Sequence, residues 1–310
     1  MKPVSVRTTL PHGVRVFERG WLSSNNVLIV GTSSAALVDS GYATHSQQTL
    51  ALVGAALAGR PLTDLLATHL HSDHCGGHAA LRAAYPEVCT AIPPGQADAV
   101  RRWDPIALGY GPTGQTCPRF SFSSLLVPGT DVALGDLSWQ VHAAPGHDPH
   151  SVVLFEPLSR TLISADALWE SGFGVVFPEL EGERAFDDVA ATLDLIESLD
   201  PAVVVPGHGS VFEDVSGALA RARSRLAFYQ ADPARHAVHA AKVLLKFKLL
   251  EVQRLPYAEF IAWAESTAYF DLVHRRWFAG DDLRGWLSSL FSDLERSGVA
   301  LRQGEYALNR

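Results

Sequence analysis

Apolar and polar positions alternate over short stretches in the first two-thirds of the chain and recur with helical spacing in the last third. Residues 14–17, 27–30 and 35–38 are apolar or β-branched runs broken by Gly and Ser, which predicts strands. NNVLIVGTSSAALVDSG reads as a hairpin ending at Asp39. Thr44 caps a helical run to Ala58 that Gly59 and Pro61 close. DLLAT at 64–68 predicts a strand leading into His69; further strands are expected at 139–143, 152–155, 161–164 and 203–205, with helical spacing over 186–199. Segment 103–118, rich in Gly, Pro and aromatics, has no period and is a candidate lid or a surface insertion. Beyond Val215 helices are expected at 218–230, 237–252, 257–268 and 282–296, then two short strands around Gln303 and Gly304. The pattern predicts an α/β unit over 1–215 and a mainly helical, winged-helix-like unit over 216–310.

A length of 310 residues suits two domains, and 47% hydrophobic with 19% charged residues excludes a disordered or fibrous chain. No apolar run reaches the ~18 residues of a membrane span. The opening MKPVSVRTTLPHGVRVFERG lacks the apolar core of an export signal. Three cysteines (Cys75, Cys89, Cys117) are too few for a disulfide framework and suit a reducing cytosol, so a cytoplasmic protein is expected. The net charge of −8 gives no overall basic footprint for nucleic acid. It is unevenly divided, however: from Gly217 onward 14 Lys and Arg face 10 Asp and Glu. That surplus suits an anionic substrate, a nucleic acid or the acidic first unit.

Eight of the 13 histidines fall between His69 and His208. HLHSDHCGG packs His69, His71, Asp73 and His74 into six residues. Alternate residues of extended backbone point the same way, so His69 and His71 can grip one ion together. The turn at Ser72 and Asp73 lets Asp73 and His74 face a neighbouring position. Four ligand-type side chains this close would crowd one another without a cation. APGHDPHS and VVVPGHGS each hold a histidine, His147 and His208, on a Pro-Gly turn after a strand, and LISADAL ends a largely apolar run in Asp166. Taken singly, the last three are more often loop histidines and a helix cap; together, at strand ends, they form a candidate metal site.

With these motifs the chain resembles the metallo-β-lactamase superfamily over roughly residues 14–212, with Asp39 in LVDSG as a further landmark. The resemblance implies a four-layered αββα sandwich with metals at one edge of its two sheets. It implies one metal on His69, His71 and His147, a second on Asp73, His74 and His208, and Asp166 bridging both. True β-lactamases lack that carboxylate; the full set is similar to hydroxyacylglutathione hydrolases (glyoxalase II), lactonases and ribonuclease-type members. The helical end is similar to the winged-helix extension of lactamase-like hydrolases.

Five imidazoles and two carboxylates suit two divalent ions, Zn first, with Fe or Mn as alternatives. Two such ions sharing one water lower its pKa, and the bridging hydroxide would attack a carbonyl carbon or a phosphorus. Asp73 is the candidate for orienting the nucleophile and moving its proton. Asp39 is either an orienter of the metal loop or a turn carboxylate. Trp169, Phe173 and Phe177, spaced by glycines, are candidates for an apolar pocket wall or simply packed residues. A dinuclear hydrolase of small-molecule thioesters or related esters is the leading expectation. The alternatives are a lactonase, a metal-dependent ribonuclease or phosphodiesterase, and a non-catalytic binding protein on the same scaffold. Nucleic acid is not favoured, since no basic run exceeds Arg275-Arg276.

Overall fold

The computed structural model describes residues 10–310; residues 1–9, where the segment read for an export signal begins, lie outside the described residues. Six strands pair in sequence order into one sheet: β1 (Val14–Phe17), β2 (Asn26–Val30), β3 (Ala35–Val38), β4 (Asp64–Leu66), β5 (Cys89–Ile92) and β6 (Ser124–Leu125). A second sheet has the order β11-β10-β9-β8-β7, from β7 (Asp131–Leu134), β8 (Leu137–Ala143), β9 (Val152–Glu156), β10 (Thr161–Ala165) and β11 (Val203–Pro206). The expected hairpin is the antiparallel β2–β3 pair, with Val27 opposite Val38.

Helices α1 (Ser46–Leu57), α2 (Ser72–Cys75), α3 (His78–Ala84), α4 (Ala97–Arg102), α5 (Phe177–Glu181), α6 (Ala185–Leu199) and α7 (Val215–Ala231) complete this part. The pleat explains the layers. Val27, Ile29, Ala36, Val38 and Leu66 point inward against Trp139, Val141, Leu154 and Ile163 of the second sheet. Their neighbours Leu28, Leu37 and Leu65 point outward under Val53 and Leu57 of α1 and Leu81 of α3. The other face of the second sheet is covered by Phe186, Val189, Leu193 and Ile196 of α6 and by Ala218, Leu219 and Ala222 of α7. The result is the expected αββα sandwich. β5, β6, β7 and the short β12 below do not stand out in the apolar pattern: SL, DVAL and RLP mix polar with apolar residues, and CTAI is interrupted by a threonine.

The remaining chain runs α8 (Pro233–Val252), β12 (Arg254–Pro256), α9 (Tyr257–Ser266), α10 (Ala268–Trp277), α11 (Leu283–Arg296), β13 (Ala300–Gln303) and β14 (Tyr306–Asn309). The three strands pair in the order β12-β14-β13. Their helices enclose a separate core built on Leu245, Phe260, Phe270, Leu287 and Phe291. Where the sequence suggested one helix over 257–268, the chain breaks at Thr267: its backbone is extended and its hydroxyl donates to the Trp263 carbonyl at 2.8 Å. A second helix, absent from the sequence reading, restarts at Ala268. Among the described residues no helix is long and apolar enough to cross a membrane.

Candidate metal centre

All seven proposed ligands stand on the loops that leave strands at one edge of the sandwich. His69 to His74 follow β4, His147 follows β8, Asp166 follows β10, and His208 follows β11. His71 is extended (φ −65°, ψ 147°) and the chain then closes into the single turn α2, which turns Asp73 and His74 toward the second position. The donor atoms of His69, His71 and His147 lie within 4.8 Å of one another, as do those of Asp73, His74 and His208 and those of His69, His74 and Asp166. Asp166 stands between the groups: Oδ1 is 3.4 Å from His74 Nε2, and Oδ2 is 3.4 Å from His147 Nε2 and 3.8 Å from His208 Nε2. Gly207 is required here, since a Cβ at that position would sit 2.1 Å from Asp166 Oδ1.

The protons on the imidazoles can be assigned from their partners. Asp39, 3% exposed, accepts from the Thr68 amide (2.8 Å) and hydroxyl (2.9 Å) and from His74 Nδ1 (2.8 Å). Having given its proton to Asp39, the Thr68 hydroxyl can only accept from His69 Nδ1, at 3.1 Å. The Val175 carbonyl accepts from His147 Nδ1 at 2.6 Å. Each bond places a proton on Nδ1 and turns Nε2 into the site. There, His69 Nε2 and His147 Nε2 lie 3.1 and 2.8 Å from His71 Nδ1, which has at most one proton to share between them. His74 Nε2 is buried without a hydrogen-bond partner. Converging lone pairs beside two carboxylates fit divalent cations, and the donor set is of the N and O type that Zn, Fe or Mn accepts.

The two ends of the cluster differ electrically. Burial, with the neighbouring imidazoles of His74, His71 and His147 adding to it, holds His69 well below the ordinary histidine range. Burial and then His71 lower His147 to about 4. Burial also opposes charge on His74, but Asp166 and Asp39 outweigh it and hold that imidazole well above the ordinary range. Burial would raise both carboxylates; His74 and His208 overcome it at Asp166, and the hydrogen bond from His208 Nε2 (3.1 Å) leads in overcoming it at Asp73.

Of the three aromatic wall candidates, Trp169 and Phe177 line the adjoining cavity of about 620 Å³. Trp169 Nε1 donates to Asp166 Oδ1 at 3.2 Å, and the Phe177 ring is 5.0 Å from that of His71. Phe173 does not line it: it is 3% exposed, in the core beneath the second sheet beside Tyr229. The glycines around it let the chain reverse, so its side chain faces inward. The 103–118 segment does contribute to the cavity wall, through Ile106, Leu108, Tyr110 and Gln115.

Two contributors went unread in the sequence. Asp148 is buried and sits 3.9 Å from His71 Nε2; its place beside His147 in GHDPH was the available signal. Trp21 stacks on His208 (5.4 Å between rings, 8° between planes), and nothing in its local sequence pointed there.

Residues 19–208 match the model of the metallo-beta-lactamase superfamily. The chain belongs to this superfamily. It is 30% identical over 285 residues to the hydroxyacylglutathione hydrolase of Anaeromyxobacter dehalogenans (strain 2CP-C), a match covering 87% of this chain and 98% of that one. A metallo-beta-lactamase family protein from Thermus thermophilus has a similar fold, with a TM-score of 0.57 at 20% identity, covering 97% of this chain and 99% of that chain. The protein TTHA1623, solved in a di-iron-bound form, aligns with a TM-score of 0.50 at 26% identity over 66% of this chain and 96% of that chain. As a superfamily member with hydroxyacylglutathione hydrolase relatives, the chain is a metallo-hydrolase.

Proposed function

We propose that this superfamily member is a dinuclear hydrolase of thioesters or related esters. The observation that carries the reading is the proton assignment: Nδ1 of His69, His74 and His147 is committed to an outward acceptor, which aims three Nε2 atoms inward beside Asp73 and Asp166, as lone pairs on His69 and His147 and as a proton position on His74 that a cation would take over. In this reading His69, His71 and His147 hold one cation, Asp73, His74 and His208 the other, and Asp166 both. Zn is the first choice, and the di-iron-bound structural relative makes iron the alternative to test. When bound, two such cations supply Lewis acidity toward the substrate oxygen and a source of hydroxide near neutral pH.

The chain's own groups do the rest. Asp39 fixes the orientation of His74, and through Thr68 that of His69. Asp73 Oδ2, 3.1 Å from His208 Nε2, is the carboxylate best placed to hold a proton during turnover. Trp169 and Phe177 narrow the approach and exclude water. The 30% identity to the hydroxyacylglutathione hydrolase of Anaeromyxobacter dehalogenans supports a thioester reading over a phosphodiester one. The basic surplus of the C-terminal part is largely engaged internally: Lys242 pairs with Asp293, Lys248 with Glu251, and Lys246 donates to the Val299 carbonyl. The same reading takes residues 1–215 as the metal-bearing unit and 216–310, which opens with α7 packed on that unit's second sheet, as a winged-helix-like unit that walls the cavity, in a cytoplasmic protein.

Protein reconstituted with Zn or Fe is expected to bind two metals per chain and to turn over a thioester panel that includes S-lactoylglutathione. Cleavage of labelled single-stranded RNA that is lost in His71→Ala, with no thioester turnover, would overturn this reading.

A further inference from the structure

Three of the large hydrophobic side chains that stand exposed on this protein line the one cavity beside the metal centre: Trp21 (54% exposed), Ile106 (73%) and Val243 (36%). Apolar side chains gathered around a concave site mark a place where something apolar binds. They are continuous with the metal edge. The Phe177 ring lies 5.0 Å from His71 and 5.8 Å from His147, and the Tyr269 ring lies 5.5 Å from Phe177. Tyr269 joins the walls: its hydroxyl donates to the Phe177 carbonyl (3.1 Å) and its amide to the Pro112 carbonyl (3.0 Å). Along α8, Val243 and Phe247 are one helical turn apart and both line the cavity. The Phe247 ring is fixed from behind by buried Tyr42, packed edge-on at 5.1 Å.

Away from the proposed metal ligands, Glu181 and Glu183 line the cavity beside a single arginine, Arg225, and burial lowers His239 to about 4, which leaves it neutral, so the wall offers an anionic substrate little positive charge. The lysines of α8 that would suit an anionic handle are engaged elsewhere, as described above. An aliphatic arm is therefore the moiety this wall recognises best. We propose that the substrate is a thioester or ester whose acyl part is an extended hydrocarbon arm, lodged between Ile106 of the 103–118 segment and the Val243–Phe247 stripe of α8. This rests on the hydrolase reading for the reaction but not for the binding slot. The overall step is ordinary hydrolysis: water adds to the acyl carbon, the C–S or C–O bond breaks, and the thiol or alcohol leaves with one proton as the carboxylic acid forms.

The test has two arms that fail separately. In the first, calorimetry compares two unreactive thioethers, 2-(octylthio)ethanol and 2-(ethylthio)ethanol, on the full-length protein. The octyl compound is expected to bind at least tenfold more tightly, and equal affinities would overturn the slot. In the second, metal-loaded protein is assayed on N-acetylcysteamine thioesters from acetyl to decanoyl. The kcat/KM is expected to climb about threefold to fourfold per methylene before levelling off. Val243→Asp and Ile106→Asp, both at exposed positions that tolerate a charge in the fold, are expected to lower the decanoyl-to-acetyl ratio at least tenfold. Leu301→Asp, on the terminal hairpin, leaves the ratio where it was. A flat or falling chain-length series, or an unchanged ratio in both cavity variants, would overturn the proposal. No turnover of any thioester together with preferential octyl binding would sink the hydrolase reading while supporting the apolar slot.

Discussion

The His69–His71–His147 corner and the Asp73–His74–His208 corner are built from similar side chains, yet burial and charge act on their protons in opposite directions. The first is all imidazole. Burial and the neighbouring imidazoles push His69 and His147 toward neutrality, and the Nε2 atoms of both face His71 Nδ1. The second has carboxylates within reach, and His74 is held well above its ordinary range, so a proton there occupies the centre of charge that a cation would otherwise hold. One corner stores unsatisfied acceptors and the other stores a proton. On the proposed reading, a cation would complete the first corner and would displace a proton from the second.

Removing the side chain shared by both corners has the largest expected effect. Asp166→Ala takes away the carboxylate that lies 3.4 Å from both His74 Nε2 and His147 Nε2. Bound metal per chain, measured by mass spectrometry, is expected to fall at both positions. Thioester turnover should drop by more than the ~10–100-fold typical of losing an outer partner of a metal ligand. If the variant keeps two metals and most of its turnover, the two corners are not joined through Asp166.

The contrast can next be sharpened by pH in the metal-free protein. His147 has a folded value of about 4 against ~6.5 when unfolded, so below pH ~6.5 the unfolded chain binds the extra proton and stability falls toward pH 4. The full excursion amounts to about 3 kcal/mol at ~1.4 kcal/mol per unit. His74 has the reverse sign: its raised folded value adds stability below pH ~6.5 that is lost as pH rises through that folded value. Urea midpoints across pH 4–9 are expected to show a loss on both sides. His147→Gln should make the acidic limb shallower, leaving the part that His69, His78, His236 and His239 contribute, and His74→Gln should reduce the alkaline one. A single limb that either variant reduces would show that the corners titrate as one.

The convergence of this candidate site was legible because its proposed ligands come in four short motifs, each directly after an apolar run, so sequence proximity to a strand end already implied the shared edge. The αββα layers followed from the same alternation, as Val27 and Ile29 facing one way and Leu28 the other demonstrate. What could not be read was the part of the cavity wall that the C-terminal helices supply. Tyr269 and Val243 come from helices more than 60 residues beyond Phe177 in the chain, and only tertiary packing brings them together. Phe173 and Phe177 looked alike in sequence, but the reversal between Gly172 (φ +144°) and Gly174 buries one and presents the other.

Asp39→Asn tests the second corner at smaller amplitude. The amide keeps the shape but no longer offers two accepting oxygens to the Thr68 hydroxyl, the Thr68 amide and His74 Nδ1. Affinity for the metal at the His74 position is expected to weaken about 10–100-fold, the usual effect of an outer partner. The His71–His147 position, reached only indirectly through Thr68 and His69, should weaken less. Competitive chelator titrations resolve the two steps, and equal weakening of both would show that Asp39 serves the whole loop rather than one corner.

The smallest effect separates two tryptophans that touch the same histidine. Trp169 meets His208 edge-on at 5.5 Å and also donates to Asp166 Oδ1 at 3.2 Å; Trp21 stacks on His208 and has no bond to a ligand carboxylate among the described residues. Both rings are partly exposed, so a charge-assisted hydrogen bond here is worth about 1 kcal/mol rather than its full buried value. Trp169→Phe keeps an apolar edge but loses the donor, and is expected to weaken metal retention severalfold. Trp21→Phe keeps the aromatic face and should leave metal retention within twofold of the parent. Because the Asp166 carboxylate is common to both corners, the Trp169 effect should divide between the two chelator steps. If it falls on the His74 step alone, Oδ1 serves that corner by itself, and the carboxylate is asymmetric in its service of the pair.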